Sequence, residues 1–279
     1  MCDFVYKFYS NERCVTGEKD YSGYARVNEG IISFVALEKL NDATEGNSCI
    51  DYLMSDEESN NLKMADIHIN KKFFSDVIKK ILQFRARVFS CTKALNNPMM
   101  WGQYAHSNMG FCVAYSVEDL KKIGYFGEVK YSSEPYRMKL MPGFSDESVE
   151  AMEELIYRVC FEAITHKSSC WEPEKEYRAV YIVRDENIKH FDLNESTNMI
   201  LDACHDIEPR SKSIIAAEPY IPFNCKPRAL YLGAQTPKND GEGFVGEESL
   251  LKLATKYDIP VYKMKNVSTS YDLISERYK

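Results

Sequence analysis

Apolar residues along this chain fall into short runs of strand-like composition, broken irregularly by stretches with helical spacing. The first run, Phe4-Val5-Tyr6-Lys7-Phe8-Tyr9, is made of aromatic and β-branched residues and predicts a strand, with Lys7 set between apolar neighbours. Ile31 to Ala36 predicts a second, buried strand that ends before Asn41-Asp42 and Gly46. Phe73, Phe74, Val77, Ile78, Ile81 and Leu82 recur at helical spacing and lead into a strand over 87–92. Another strand is predicted over 110–115. Ser116 then opens a short helix, with Asp119 three residues on as in a capping box. A brief strand at 129–131 precedes the most regular helix, 146–166, whose apolar stripe runs from Val149 to Ile164. A strand over 177–183, a helix near 195–205, a strand at 229–232, a helix at 247–257 and a strand at 259–263 complete the reading.

Strands and helices do not alternate strictly, and no repeat or low-complexity linker divides the chain. The pattern therefore predicts a single α+β domain over residues 1–279, with a mixed, largely antiparallel sheet flanked by helices. The segment 206–227, with Pro209, Pro219, Pro222 and Pro227, reads as a long loop. At 279 residues the chain can bury a full core without disulfide or metal staples. The longest apolar stretch, residues 30–37, is far short of the ~20 residues that span a bilayer, so no membrane partner is expected. The net charge of −7 argues against non-specific nucleic-acid binding as the main activity. Nine cysteines show no Cys-x-x-Cys pair; with no secretory leader, they read as reduced thiols of a cytoplasmic protein, Cys91, Cys112 and Cys160 among them serving as small apolar residues.

Gly241-Glu-Gly243-Phe-Val-Gly246 has dinucleotide-loop spacing. It lies seven residues beyond the preceding strand, amid Asp240, Glu242, Glu247 and Glu248, so it reads as an acidic loop before a helix. His106, His166 and His205 lack partners at ligand spacing, and no metal site is expected.

Two segments carry more chemistry. In the first, a strand ends in Ser90-Cys91-Thr92 and is followed by Trp101 and Tyr104 in a loop that closes on Gly110. The aromatic pair suits either a pocket wall for a flat ligand or the core side of one helical turn. In the second, Lys167-Ser-Ser-Cys-Trp171-Glu-Pro-Glu174-Lys-Glu176-Tyr-Arg178, strand alternation turns Glu174, Glu176 and Arg178 to one face. That trio is either a salt-bridge ladder on an edge strand or a charged constellation at the mouth of the sheet. Trp171 is expected to anchor the segment.

The sequence resembles a bacterial domain-of-unknown-function family, number 2971. The resemblance rests on the Trp101-x-x-Tyr104-Ala loop that ends in Gly110-Phe111 and on the Lys167-x-x-x-Trp171-x-x-Glu174-x-Glu176-x-Arg178 segment. Gln103 and Asn108 stand where that family often has histidine, and Tyr9 where it usually has arginine. Some members are associated with mobile elements and defence islands, which implies a toxin or anti-phage effector. The order Lys7, Ser90-Cys91-Thr92, Glu174-Lys175-Glu176 is also similar to the layout of ADP-ribosyltransferases.

This likeness implies NAD as cofactor and a protein or nucleic-acid acceptor. Glu176 would stabilise the oxocarbenium-like transition state and Glu174 would orient the acceptor. Ser90 and Thr92 would support the glutamate or the ribose. Lys7, Lys167 or Arg178 would balance the pyrophosphate, and Trp101 or Tyr104 would pack on nicotinamide. Two alternatives stay open. One is a metal-dependent nuclease or phosphodiesterase using Glu174, Glu176 and Lys167. The other is a non-catalytic module that binds a nucleotide or a partner.

Overall fold

The computed structural model describes residues 3–41, 63–64, 67–68, 78–79, 81–134, 136, 149–183 and 220–278. Its strands in chain order are β1 (Phe4–Tyr9), β2 (Val15–Thr16), β3 (Lys19–Asp20), β4 (Ile31–Ala36), β5 (Lys63–Met64), β6 (Ile67–His68), β7 (Ala86–Thr92) and β8 (Phe111–Ser116). They continue with β9 (Tyr125–Glu128), β10 (Lys130–Ser132), β11 (His166–Ser168), β12 (Glu176–Ile182), β13 (Tyr220–Asn224), β14 (Ala229–Leu232), β15 (Val261–Asn266) and β16 (Leu273–Arg277). The helices are α1 (Gly23–Glu29), α2 (Pro98–Tyr104), α3 (Val117–Lys121), α4 (Val149–Ile164) and α5 (Glu247–Tyr257).

Ten of these strands form one sheet, antiparallel throughout except for the β14–β15 pair. The α+β domain with a large mixed sheet predicted from the sequence is the one observed. Its most consequential feature is a fork. β12 pairs with β7 along the whole of Ala86–Thr92 and so occupies one edge of that strand. β4 meets β7 only at Arg87 and Val88, and β1 meets it only at Thr92. A strand has two edges, so β4 and β1 must share the second one. Between them Phe89, Ser90 and Cys91 face a gap with no strand neighbour. β4 continues to β13 on one arm, and β1 to β8, β14, β15 and β16 on the other.

Helices cover both faces. On one, α4 packs Val159, Cys160 and Ala163 against Val88, Val180 and Ile182, while α2 packs Met100 and Trp101 with Phe8 and Ala114. On the other, Leu250 and Leu253 of α5, Val27 of α1 and Leu120 of α3 join Val5, Phe34, Phe89 and Val113. Ser90 and Thr92 of β7 and Glu176 and Arg178 of β12 lie on the first face, between its two apolar clusters.

Several boundaries differ from the sequence reading. The proline-rich segment is not wholly loop: Tyr220–Asn224 pairs with β4, and Pro222 is tolerated because β13 is an edge strand among the described residues. Ser116 is the N-cap of α3 but its side chain makes no capping hydrogen bond, so no capping box forms. β9, β16 and α1 were not predicted; each is short, and β16 exposes all but Leu273. The helix predicted from Phe73 is described only at Ile78 and Lys79, after which Ile81–Arg85 forms a π-turn into β7. The helix expected near 195–205 lies outside the described residues. Cys91, Cys112 and Cys160 are buried, as expected of small apolar residues.

Candidate functional site

β12 begins where a 3-10 turn over Ser169–Glu174 ends, and Lys175 makes the junction in the left-handed region at φ 45°. That reversal, rather than strand alternation alone, sends the Glu174 carboxylate to the same place as Glu176 and Arg178. β12 is paired on both edges, to β7 and β9, and Glu174, Glu176 and Arg178 are buried. The surface-ladder reading is therefore overturned.

The charges form one connected network. Arg178 donates from Nε to Glu176 Oε1 at 2.8 Å and from Nη2 to Glu176 Oε2 at 2.9 Å. Its Nη1 donates to the Ile164 carbonyl at the end of α4 at 2.6 Å. Lys167, on β11, bridges the two acids, donating to Glu174 Oε2 at 2.8 Å and Glu176 Oε2 at 3.1 Å. Its ammonium lies 4.6 Å from the centre of the half-buried Trp171 ring, which covers it as the expected anchor. Tyr104 donates its hydroxyl to Glu174 Oε1 at 2.5 Å, and Tyr131 accepts the Glu176 N–H at 2.8 Å.

Burial alone would raise the Glu176 pKa. The Arg178 guanidinium and the Lys167 ammonium outweigh it and hold the carboxyl at about 2. Ser90 adds a smaller pull in the same direction, although its buried Oγ has no partner that satisfies hydrogen-bond geometry.

Tyr104, Lys167, Glu174, Glu176 and Arg178 line a cavity of about 270 Å³, which Lys7, Lys39 and Asn41 also line. Lys7 arrives from an unexpected side. By register, Tyr6 shares a face with Thr92 and Glu176, so Lys7 roots on the opposite face, near Phe89, whose ring lies 5.5 Å from its Nζ. The fork opens the sheet beside it, so that Lys7 lines the same cavity as the acids. Burial lowers the Lys7 pKa; the charge of Glu176 pulls the other way without outweighing it, and Lys7 forms no ion pair or hydrogen bond with described residues.

Most residues singled out from the sequence meet here: Lys7, Ser90, Thr92, Tyr104, Lys167, Glu174, Glu176 and Arg178. Trp101 does not. It is fully buried on α2, donates its indole N–H to the Leu95 carbonyl at 2.7 Å, and packs edge-on to Phe8 at 5.0 Å. Packing on nicotinamide is closed to it, so of the aromatic pair only Tyr104 faces the cavity. Thr92 donates to the Glu174 carbonyl and accepts from the Ala94 N–H, which braces the turn that carries Glu174. Lys167 and Arg178 are committed to the acids. Lys39 and Asn41 were missed because single polar residues in short connections leave no periodic signal, and Tyr131 because one tyrosine in a three-residue strand leaves none either.

A metal finds poor ligands here. All four carboxylate oxygens already accept from Lys167, Arg178 or Tyr104, and no group of three His, Cys, Asp or Glu residues suited to a metal occurs among the described residues. The glycine run at 241–246 is a tight turn. Gly241 bridges Phe244, and Asp240 accepts the Gly246 N–H at 2.8 Å, placing a carboxylate where a phosphate would have to bind.

A family model described as "Protein of unknown function (DUF2971)" matches residues 100–179. The matched stretch runs from α2 into β12 and takes in Tyr104, Lys167, Glu174, Glu176 and Arg178. No curated protein and no solved structure matches the chain. No helix among the described residues is long and apolar enough to cross a membrane.

An uncompensated ammonium costs folding energy. Lys7→Met is expected to raise the melting temperature at pH 7. A lysine with a lowered folded pKa binds fewer protons folded than unfolded as pH rises toward 10.5, so wild-type stability climbs across that window. The advantage of Lys7→Met should shrink correspondingly, which melts across a pH series would show.

Proposed function

We propose that the cavity binds a small anionic ligand of the nucleotide class, and that the chain is an ADP-ribosyltransferase-like enzyme acting on NAD. The observation carrying this reading is Lys7, a desolvated lysine that forms no ion pair with described residues, opening on the same cavity as a glutamate held ionised. A bound phosphate would supply the missing counter-charge. Glu176 stays anionic at any physiological pH and offers fixed negative charge to a sugar carbon losing its leaving group with the bond's electron pair. Glu174, held by single hydrogen bonds from Tyr104 and Lys167 rather than by a guanidinium, is the better-placed acceptor for a proton from an incoming hydroxyl.

The test is to incubate the protein with NAD and follow nicotinamide release, together with the thermal shift produced by NAD. The expected outcome is a ligand-dependent rise in melting temperature with measurable release. A second reading is favoured by one specific feature. Because Glu176 is doubly paired with Arg178 and bridged by Lys167, much of its charge is already neutralised, which suits a rigid binding module. Stabilisation by NAD without any release of nicotinamide would select that reading.

A further inference from the structure

A second cavity, of about 250 Å³, lies on the other side of the fork. It shares Lys7, Ser90, Val35 and Leu40 with the first, so the two chambers meet in the gap between β1 and β4. We infer that this gap is a ligand passage through the sheet, and that the second chamber seats the phosphate or pyrophosphate of a ligand whose sugar end lies beside Glu174 and Glu176. The inference rests on the reading that the first cavity takes an anionic ligand.

Charge separates the two chambers. The first holds both glutamates, whereas the second has no carboxylate among the described residues that line it, although the whole chain carries a net charge of −7. It has two cations instead, Lys7 at the gap and Arg26 from α1. Arg26 has no acidic partner among the described residues, and its guanidinium lies 5.3 Å from the centre of the Tyr220 ring, which presents it without neutralising it. Two unpaired cations around one chamber repel each other unless an anion joins them.

Hydrogen-bonding capacity agrees. The buried Ser90 Oγ, which makes no hydrogen bond of good geometry to the described residues, lines both chambers. Lys7 to Tyr9 of β1 and Ile31 to Phe34 of β4 border the gap with edges that have no strand partner. Size agrees as well. Each chamber alone falls below the ~300–1,000 Å³ typical of sites for drug-sized ligands, whereas the two joined fall inside it.

The test measures the affinities of pyrophosphate and of ADP-ribose for the full chain by calorimetry at constant ionic strength, comparing wild type, Arg26→Gln and Lys7→Met. Arg26 is on a half-exposed helix, so Arg26→Gln should fold. Loss of one charge-assisted contact should weaken both probes on the order of tenfold or more in Arg26→Gln, and similarly in Lys7→Met. Unchanged binding in Arg26→Gln, with loss only in Lys7→Met, would confine the ligand to the first chamber and overturn the inference. Failure of the wild type to bind either probe would overturn it too. Arg26-dependent binding of pyrophosphate by a protein that releases no nicotinamide from NAD would support the passage while removing the transferase reading.

Discussion

Arg178→Met is expected to lower the free energy of unfolding by about 3–5 kcal/mol, the usual cost of removing one partner of a buried ion pair. Arg178 is 1% exposed and does three things at once. It chelates both oxygens of Glu176, fixes that carboxylate against β12, and ties the last turn of α4 to the sheet through the Ile164 carbonyl. Methionine matches the stem but leaves Glu176 with Lys167 alone and the Ile164 carbonyl without that donor.

The acid side of the stability profile gives a second readout. A carboxyl held at about 2 in the folded protein, against 4.5 ordinarily, contributes stability that is complete above pH 4.5 and lost as pH falls toward 2. In Arg178→Met that acid-side loss should be smaller and should end at a higher pH, because the folded pKa moves back up toward the unfolded value. Urea denaturation across a pH series measures both effects. Arg178→Lys should fall between, since an ammonium keeps the charge but not the two-pronged geometry. A variant within 1 kcal/mol of wild type, with an unmoved acid profile, would show that the network adds nothing to the fold.

That network explains how much of the site was legible beforehand. Glu174, Glu176 and Arg178 were visible because their spacing is short and their charge is out of place before an apolar run. Lys7 was visible for the same reason, one charged residue inside an aromatic strand. The route that joins Lys7 to the acids was not visible. Alternation puts it on the wrong face, and only the sharing of one β7 edge by β4 and β1 opens the sheet there. Such sharing depends on pairings between strands more than fifty residues apart, which hydrophobic pattern does not encode. Arg26 was missed because α1 buries only Val27, too little for a periodic signal. Trp101 was ambiguous on one helical turn, and it is packing against Phe8 that assigns it to the core.

Glu176→Gln is expected to slow nicotinamide release by on the order of 10²–10³, the loss typical of removing one preorganised electrostatic group. Glutamine keeps the length and can still accept from Arg178, but its amide nitrogen would face the Arg178 and Lys167 donors. The substitution therefore also destabilises the fold, and rates must be compared well below the melting temperature of the variant. Glu174→Gln separates charge at the sugar from handling of the acceptor. It should be mild for release, because Glu176 remains paired and ionised, yet damaging for transfer of labelled ADP-ribose. Measuring release and transfer side by side on both variants assigns each carboxylate. Undiminished release by folded Glu176→Gln would end its catalytic role. The doubly paired carboxylate would then stand as the rigid floor of a binding pocket, with Lys7 as the group that holds the ligand.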